Sequence, residues 1–240
     1  MKREEILKKI KSKGYWEINI RPGKFNAEKI PTQKLKDLVR TSAVELTGWD
    51  YPHFTDSNNG EPYAIPNGIE KITDWEYFCE LWRMTSSGNF YHVFGSQEDW
   101  MGEPKPGSFF SRENNIEGKW MGVLRTLHTI VEIFEFARRM ALKENAIFDT
   151  VFIRLEFHGL NERQLVVDSR MRASFMFPRV AKTEDPWSFE KTYNLGEFIT
   201  SAPELAIEPF VELVRLFNWD NPSMPQLKED VKKFLEGKLD

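Results

Sequence analysis

At 240 residues, 40% hydrophobic and 29% charged, the chain has enough apolar material for a sizeable core, which excludes a disordered tail. No apolar run approaches the roughly 20 residues that span a bilayer. The single cysteine, Cys79, excludes an internal disulfide and cannot build a thiolate metal centre alone. The opening "MKREEILKKIKSKG" has no apolar core of a secretory signal, so a reducing cytoplasm is the expected compartment.

The net charge of −4 is unevenly spread. Residues 1–40 carry twelve Lys/Arg against five Asp/Glu, residues 41–120 five against thirteen, and the remainder sixteen against nineteen. A basic opening followed by an acidic middle suits contact with nucleic acid through the first segment. The same lysines also suit the C-terminal end of a short helix, where cations meet the helix dipole.

In chain order, residues 3–13 predict a helix with Ile6, Leu7 and Ile10 on one face, closed by Gly14. "YWEINIR" alternates Trp16, Ile18 and Ile20 against polar residues and predicts a half-buried strand. Pro31 and Thr32 open a second helix to about Thr41, and "AVEL" predicts a short strand. "GIEKITDW", "YFCELWRMT" and "FYHVFG" predict antiparallel strands, with Leu81–Thr85 and Phe90–Gly95 joined as a hairpin through "SSGN". In that hairpin Trp82 and His92 face each other. Residues 96–118, rich in Gly and Pro, predict a long loop.

From Trp120 to about Lys143 the apolar period becomes helical, with Leu124, Leu127, Ile130, Val131, Phe134 and Ala137 on one wide face. Arg138 falls within that face, so it is expected to find a carboxylate partner or to lie at the edge. "TVFIRLEFHG" alternates cleanly, "GLNE" turns it, and "RQLVVD" is expected to return as a hairpin. "SFMFPR" and "WSFEKTY" predict further strands. "TSAPELAIEPFVELVRLF" opens with Ser201 and Glu204 in capping-box spacing, with a kink expected at Pro209, and "MPQLKEDVKKFLEG" closes the chain as a helix.

The expected architecture is one α+β domain over residues 1–240, mainly an antiparallel sheet packed on the 120–143 helix, with helices at both ends. Its parts are a basic segment 1–40, an aromatic and acidic sheet region 41–118, a helix-plus-hairpin region 119–200 and C-terminal helices 201–240.

Familiar chemical motifs are absent: no Walker A, G-x-G-x-x-G, H-E-x-x-H or G-x-S-x-G occurs. Cys79 lies within an apolar strand pattern, which predicts an inert buried thiol. No catalytic residue, metal ligand or cofactor is therefore assigned. What stands out is "LTGWDYPHFTDSNNG", residues 46–60, together with the aromatic residues that follow it. Trp49, Asp50, Tyr51, His53, Trp75, Trp82 and His92 are expected to form an aromatic slot rimmed by acids, suited to stacking a nucleobase or another flat ligand. Acidic rims repel phosphate, so Lys8, Lys9, Lys11, Lys13, Arg21 and Lys24 are the expected phosphate contacts.

"GWDYPH", "DWEYFCELWRMTSSGNFYHVFG", the "VLRTLHTIVEIFEFARRMAL" helix and "GLNERQLVVD" together resemble an uncharacterised group of prokaryotic proteins. That group carries an R-G-W-D-[FY]-P-H segment, and some of its members stand beside an AlbA-like, Schlafen-type nucleic-acid-binding domain. The resemblance covers most of residues 15–220 and implies association with nucleic-acid handling, without an activity. Thr47 stands here in place of the group's Arg.

Three readings follow. The first is a non-catalytic binding module in a nucleic-acid-handling or defence assembly. The second is a metal-dependent hydrolase or nuclease using Asp50, His53 and Asp56 with Glu61. The third is an adaptor that recruits a partner protein through the 96–118 loop and the final helix.

Overall fold

The computed structural model describes residues 3–24, 30–54, 60–100, 119–144, 147–169, 171–183 and 186–238. Helix α1 (Arg3–Ile10) leads into β1 (Tyr15–Pro22), followed by α2 (Thr32–Ser42). Four strands come next: β2 (Tyr63–Ile65), β3 (Gly68–Asp74), β4 (Cys79–Thr85) and β5 (Phe90–Gly95). The single turn α3 (Gln97–Trp100) and β6 (Trp120–Gly122) precede the long helix α4 (Val123–Lys143). The chain continues through β7 (Thr150–His158), β8 (Gln164–Val166), β9 (Arg179–Val180) and β10 (Trp187–Asn194), then α5 (Leu195–Leu205), α6 (Ile207–Arg215) and α7 (Met224–Leu235).

Seven strands form one antiparallel sheet in the order β10-β7-β1-β5-β4-β3-β2, and β6-β8-β9 form a small second sheet. Period-two alternation decides what each face does. Trp16, Ile18 and Ile20 of β1 and Val151, Ile153, Leu155 and Phe157 of β7 point to one face. There they share a core with Leu127, Ile130, Val131, Phe134 and Ala137 of α4. On the opposite face Ile6 and Ile10 of α1 cover Tyr15, Cys79, Leu81 and Val93. Each such side chain stabilises the fold by roughly 1.5–3 kcal/mol when fully buried. The expected α+β architecture, a mainly antiparallel sheet packed on a long helix, is what forms. Arg138 has its carboxylate: Glu135, one turn earlier, accepts from Nε at 2.7 Å.

Trp82 and His92 stand directly opposite each other in the β4–β5 hairpin. Even-numbered residues of both strands therefore face α4, and odd-numbered ones face α1 or the surface.

Four local expectations change. "AVEL" makes no ladder; Val44 forms only a two-way bridge with Tyr51, which closes the loop carrying Trp49. The 163–168 segment does not return along β7. Its β8 pairs in parallel with β6, so residues 120–122 are strand and α4 starts at Val123. Only Arg179 and Val180 of the 174–180 stretch pair as a strand, against β8. Finally, Asn194 caps α5, its side chain accepting the Gly196 N–H, so the helix begins six residues before Ser201. The break falls at Ala206, because Pro209 fits the first turn of a new helix, where its missing N–H has no partner to lose. The 101–118 part of the expected loop lies outside the described residues, and residues 97–100 form α3.

Candidate functional site

The bridge between Val44 and Tyr51 folds residues 45–50 into a tight loop. Gly48 turns it at φ 84°, a conformation that glycine adopts without strain. Trp49 follows on the surface, 61% exposed. Asp50 Oδ2 accepts the Phe54 N–H at 2.8 Å, so this carboxylate caps its own loop. The Tyr51–Pro52 peptide is cis. Below the loop Trp82 is fully buried, and its indole N–H donates to the His53 carbonyl at 2.8 Å. Trp82, expected within the slot, is therefore the support on which the His53 loop rests.

The loop forms one wall of a recess of about 1270 Å³, bounded by described residues from seven stretches of the chain. Trp75, Tyr77 and Phe78, between β3 and β4, extend the aromatic wall. Trp49 and Trp75 lie 5.3 Å apart between ring centroids, and His53 lies 4.8 Å from both Trp75 and Phe78. Tyr77, 54% exposed, stands at the rim. The floor is the α4-facing side of the sheet, with Trp16, His92, Phe94 and Phe157. The opposite wall is the first half of α4, with Leu124, Arg125, His128 and Glu132.

A hydrogen-bonded chain of titratable groups runs beneath the aromatic wall. The Tyr51 hydroxyl lies 3.1 Å from His92 Nδ1, and His92 Nε2 lies 2.8 Å from Glu80 Oε2. Glu80 Oε1 takes the Thr73 hydroxyl at 3.0 Å and lies 3.2 Å from His53 Nδ1. Burial alone would push the Glu80 carboxyl up, but the two imidazoles hold it down at about 2. Burial pulls His92 below its ordinary value, against the opposing pull of Glu80. A neutral His92 thus donates from Nε2 to Glu80 and accepts from Tyr51 at Nδ1. Burial also works against a charged His53, yet Glu80, Asp50 and Glu132 outweigh it and raise the imidazole.

Glu132 behaves oppositely. Burial pushes its carboxyl up to about 8, against hydrogen bonds from Thr47 and the charge of His53. The Thr47 hydroxyl donates to Glu132 Oε1 at 3.2 Å. Two carboxyls near one imidazole are therefore driven apart, one ionised and one protonated at neutral pH. That pattern marks functional sites more often than scaffolds.

The far end of the recess is fixed by capping contacts. Asp168 accepts the N–H groups of Leu124 and Arg125, at 2.7 and 3.0 Å, and so caps α4 from forty residues away in the chain. Glu98 takes the Ser96 hydroxyl at 2.8 Å and the Gly122 N–H at 3.2 Å.

Of the seven residues expected in the slot, Trp49, Asp50, Tyr51, His53, Trp75 and His92 line the recess. Sequence reasoning missed Glu80, Glu132, Glu98 and Asp168. Glu132 carried a usable signal, since it lies on the polar stripe of α4, but nothing in the periodicity says what that stripe faces.

The expected phosphate contacts are largely engaged within the chain. Lys9 pairs with Asp74, Lys11 with Glu17 at 3.7 Å and Lys24 with Asp149 at 3.8 Å. Lys13 donates to the Asp99 carbonyl, and Arg21 lies over the Phe152 ring. Lys8 is exposed. Among the described residues, Asp50, His53 and Glu61 do not form a metal-ligand group: Asp50 holds its own loop and Glu61 pairs with Lys36 and Arg40, while Asp56 lies outside the described residues. A separate group, Glu17, Glu156 and His158, brings its ligand atoms within 4.8 Å. Lys11 and Arg154 neutralise its two carboxylates. Cys79 is buried, and burial pushes its thiol up to about 12. Among the described residues, no helix is long and apolar enough to cross a membrane.

No protein-family model matches the chain, and neither a curated protein nor a solved structure does.

Proposed function

We propose that this chain is a non-catalytic binding module whose recess holds a flat heteroaromatic ligand of the nucleobase class, within a nucleic-acid-handling assembly. The observation that carries the reading is the exposure of Trp49 and Tyr77 on one recess, beside Trp75 and Phe78. Large rings are normally spent on the interior. Rings left open on a concave wall supply stacking faces, worth about 1–3 kcal/mol per base. The recess is also large enough for a ligand of nucleoside size.

The acids around the rings set the ligand's charge. Asp50, Asp74, Glu76, Glu98, Glu132 and Asp168 all line the recess, so a phosphate is repelled and a base or nucleoside is favoured. Lys9, paired with Asp74 on the lining, ties α1 to the rim. A single strand could then lay a base in the recess with its backbone along Lys8 and Lys13. The sequence resemblance supports the same setting.

Titration of indole fluorescence tests this. Nucleosides should quench the wild type, their 5′-monophosphates should bind more weakly, and Trp49→Phe should lose most of the quench. A short single strand should bind with a salt-dependent affinity that Lys8→Ala with Lys13→Ala reduces. No quenching by any base, nucleoside or strand at millimolar concentration overturns the reading.

A further inference from the structure

Of the six carboxylates on the recess, Glu76 is exposed, four are held by bonds within the fold, and Glu132 is buried without a lysine or arginine among the described residues paired to it. Asp50 holds the Phe54 N–H, Asp74 pairs with Lys9, Glu98 holds Ser96 and Gly122, and Asp168 caps α4. Glu132, only 7% exposed, takes hydrogen bonds from Thr47. It forms no ion pair with a lysine or arginine among the described residues. Burial of the Glu132 carboxylate is therefore offset only by its Thr47 hydrogen bonds and the charge of His53. Beside open aromatic faces such as those of Trp49 and Trp75 this is the arrangement that receives a cation.

Building on the base-binding reading, we propose that Glu132 is the specificity-determining residue of the recess, receiving the N–H edge of a flat cationic ligand. The ligand class is an aromatic ring bearing an amidinium or a protonated ring nitrogen. Its N–H groups donate to the Glu132 carboxylate while its face lies against the Trp49 and Trp75 wall. An amidinium matches a carboxylate with two parallel donors, which a neutral amide cannot do.

The proton balance follows from the surroundings. Tyr51 and His53 from the loop feel the charge of Glu132, and through them Glu80 and His92 of the sheet are linked to it; His128 and Glu135 lie one turn either side of it on α4. Glu80 and His92 are tied to each other, and Glu135 is held by Arg138 and Arg139. With its carboxyl at about 8, Glu132 carries its proton at pH 7 in the free protein. A cation takes the place of that proton, so affinity for a permanent cation rises from pH 6 to 9 and binding at pH 7 releases close to one proton. Loss of a proton from His53, whose imidazole is raised, acts in the same direction as pH climbs. Thr47, which bonds Glu132, separates the two contributions.

The test is calorimetry with benzamidine and its neutral isostere benzamide, from pH 6 to 9, in buffers of different ionisation enthalpy. Benzamidine should bind about tenfold more tightly than benzamide at pH 9, the scale of one charge-assisted hydrogen bond, and much of that preference should vanish at pH 6. Glu132→Gln should abolish the preference and the proton release. Thr47→Val should move the pH midpoint upward, which tests the assignment even where Glu132→Gln fails to fold. Equal affinities, a preference that survives Glu132→Gln, or a midpoint unmoved in Thr47→Val overturns the assignment. If nucleosides quench Trp49 while neither probe binds, the Glu132 assignment falls and the base-binding reading stands. If no flat compound binds, both fall.

Discussion

Two of the buried charge clusters among the described residues differ in how completely their groups are paired. Around Arg163 the pairing is complete. Its Nε donates to the Gly159 carbonyl, Nη1 to Asp99 at 2.8 Å and to the Trp120 carbonyl at 2.6 Å, and Nη2 to Asp99 at 2.8 Å. Asp99 also takes the Gly14 N–H at 2.7 Å, and despite its burial Arg163 holds its carboxyl below the ordinary range. Around Glu80 and Glu132 the pairing is partial: Glu80 is fully used, and Glu132 is not. The first cluster ties four parts of the chain together and stands outside the lining of the recess. The second lines one. Incomplete pairing, more than burial of charge, separates a site from a fastening.

The sharpest way to break this comparison is Arg163→Met. Removing one partner of a fully satisfied buried pair should cost on the order of 3–5 kcal/mol in urea unfolding. A loss below about 1 kcal/mol would mean the cluster fastens little. Glu80→Gln should cost on the order of 2 kcal/mol at pH 7, since two imidazole bonds lose their charge. Glu80 is held below its ordinary value, so its contribution is present above about pH 4.5 and is lost as pH falls toward 2. The difference between wild type and variant should narrow over that window.

Glu132→Gln should act in the opposite direction. Its carboxyl is raised, so ionisation opposes folding as pH climbs from the unfolded value near 4.3 toward 8. The variant should match wild type below about pH 4 and exceed it by about 2–3 kcal/mol at pH 9, with half of the full linkage cost offset by relaxation around the charge. A variant less stable at pH 9 would show that Glu132 is already paired there. Trp49→Ala gives the smallest effect on stability, within about 0.5 kcal/mol for an exposed ring. In the same variant nucleoside affinity should fall by about 1–3 kcal/mol. A large loss of stability from Trp49→Ala would turn the recess wall into core.

Much of the fold was legible because alternation and helical period report burial directly. Trp16, Ile18 and Ile20, the Trp82–His92 pairing and the apolar face of α4 could all be read residue by residue. The β8 segment could not: "RQLVVD" has the pattern of a hairpin return, and only its partner, β6, shows that it pairs in parallel elsewhere. The aromatic wall was legible in part, through Trp49, Trp75 and His53. Trp82 was misplaced, because one indole reads the same in a slot as beneath it.

Local chemistry along the chain determined the elements: an Asp that caps its own loop at Asp50, a glycine turn before Trp49, a continuous apolar arc from Leu124 to Ala137. Tertiary structure decided what those elements do, since Asp168 caps α4 from 44 residues away, Glu80 bridges histidines 27 and 12 residues off, and Thr47 bonds Glu132 across 85. Hydrogen bonds and desolvation depend on distance in space, and a one-dimensional pattern carries no record of it.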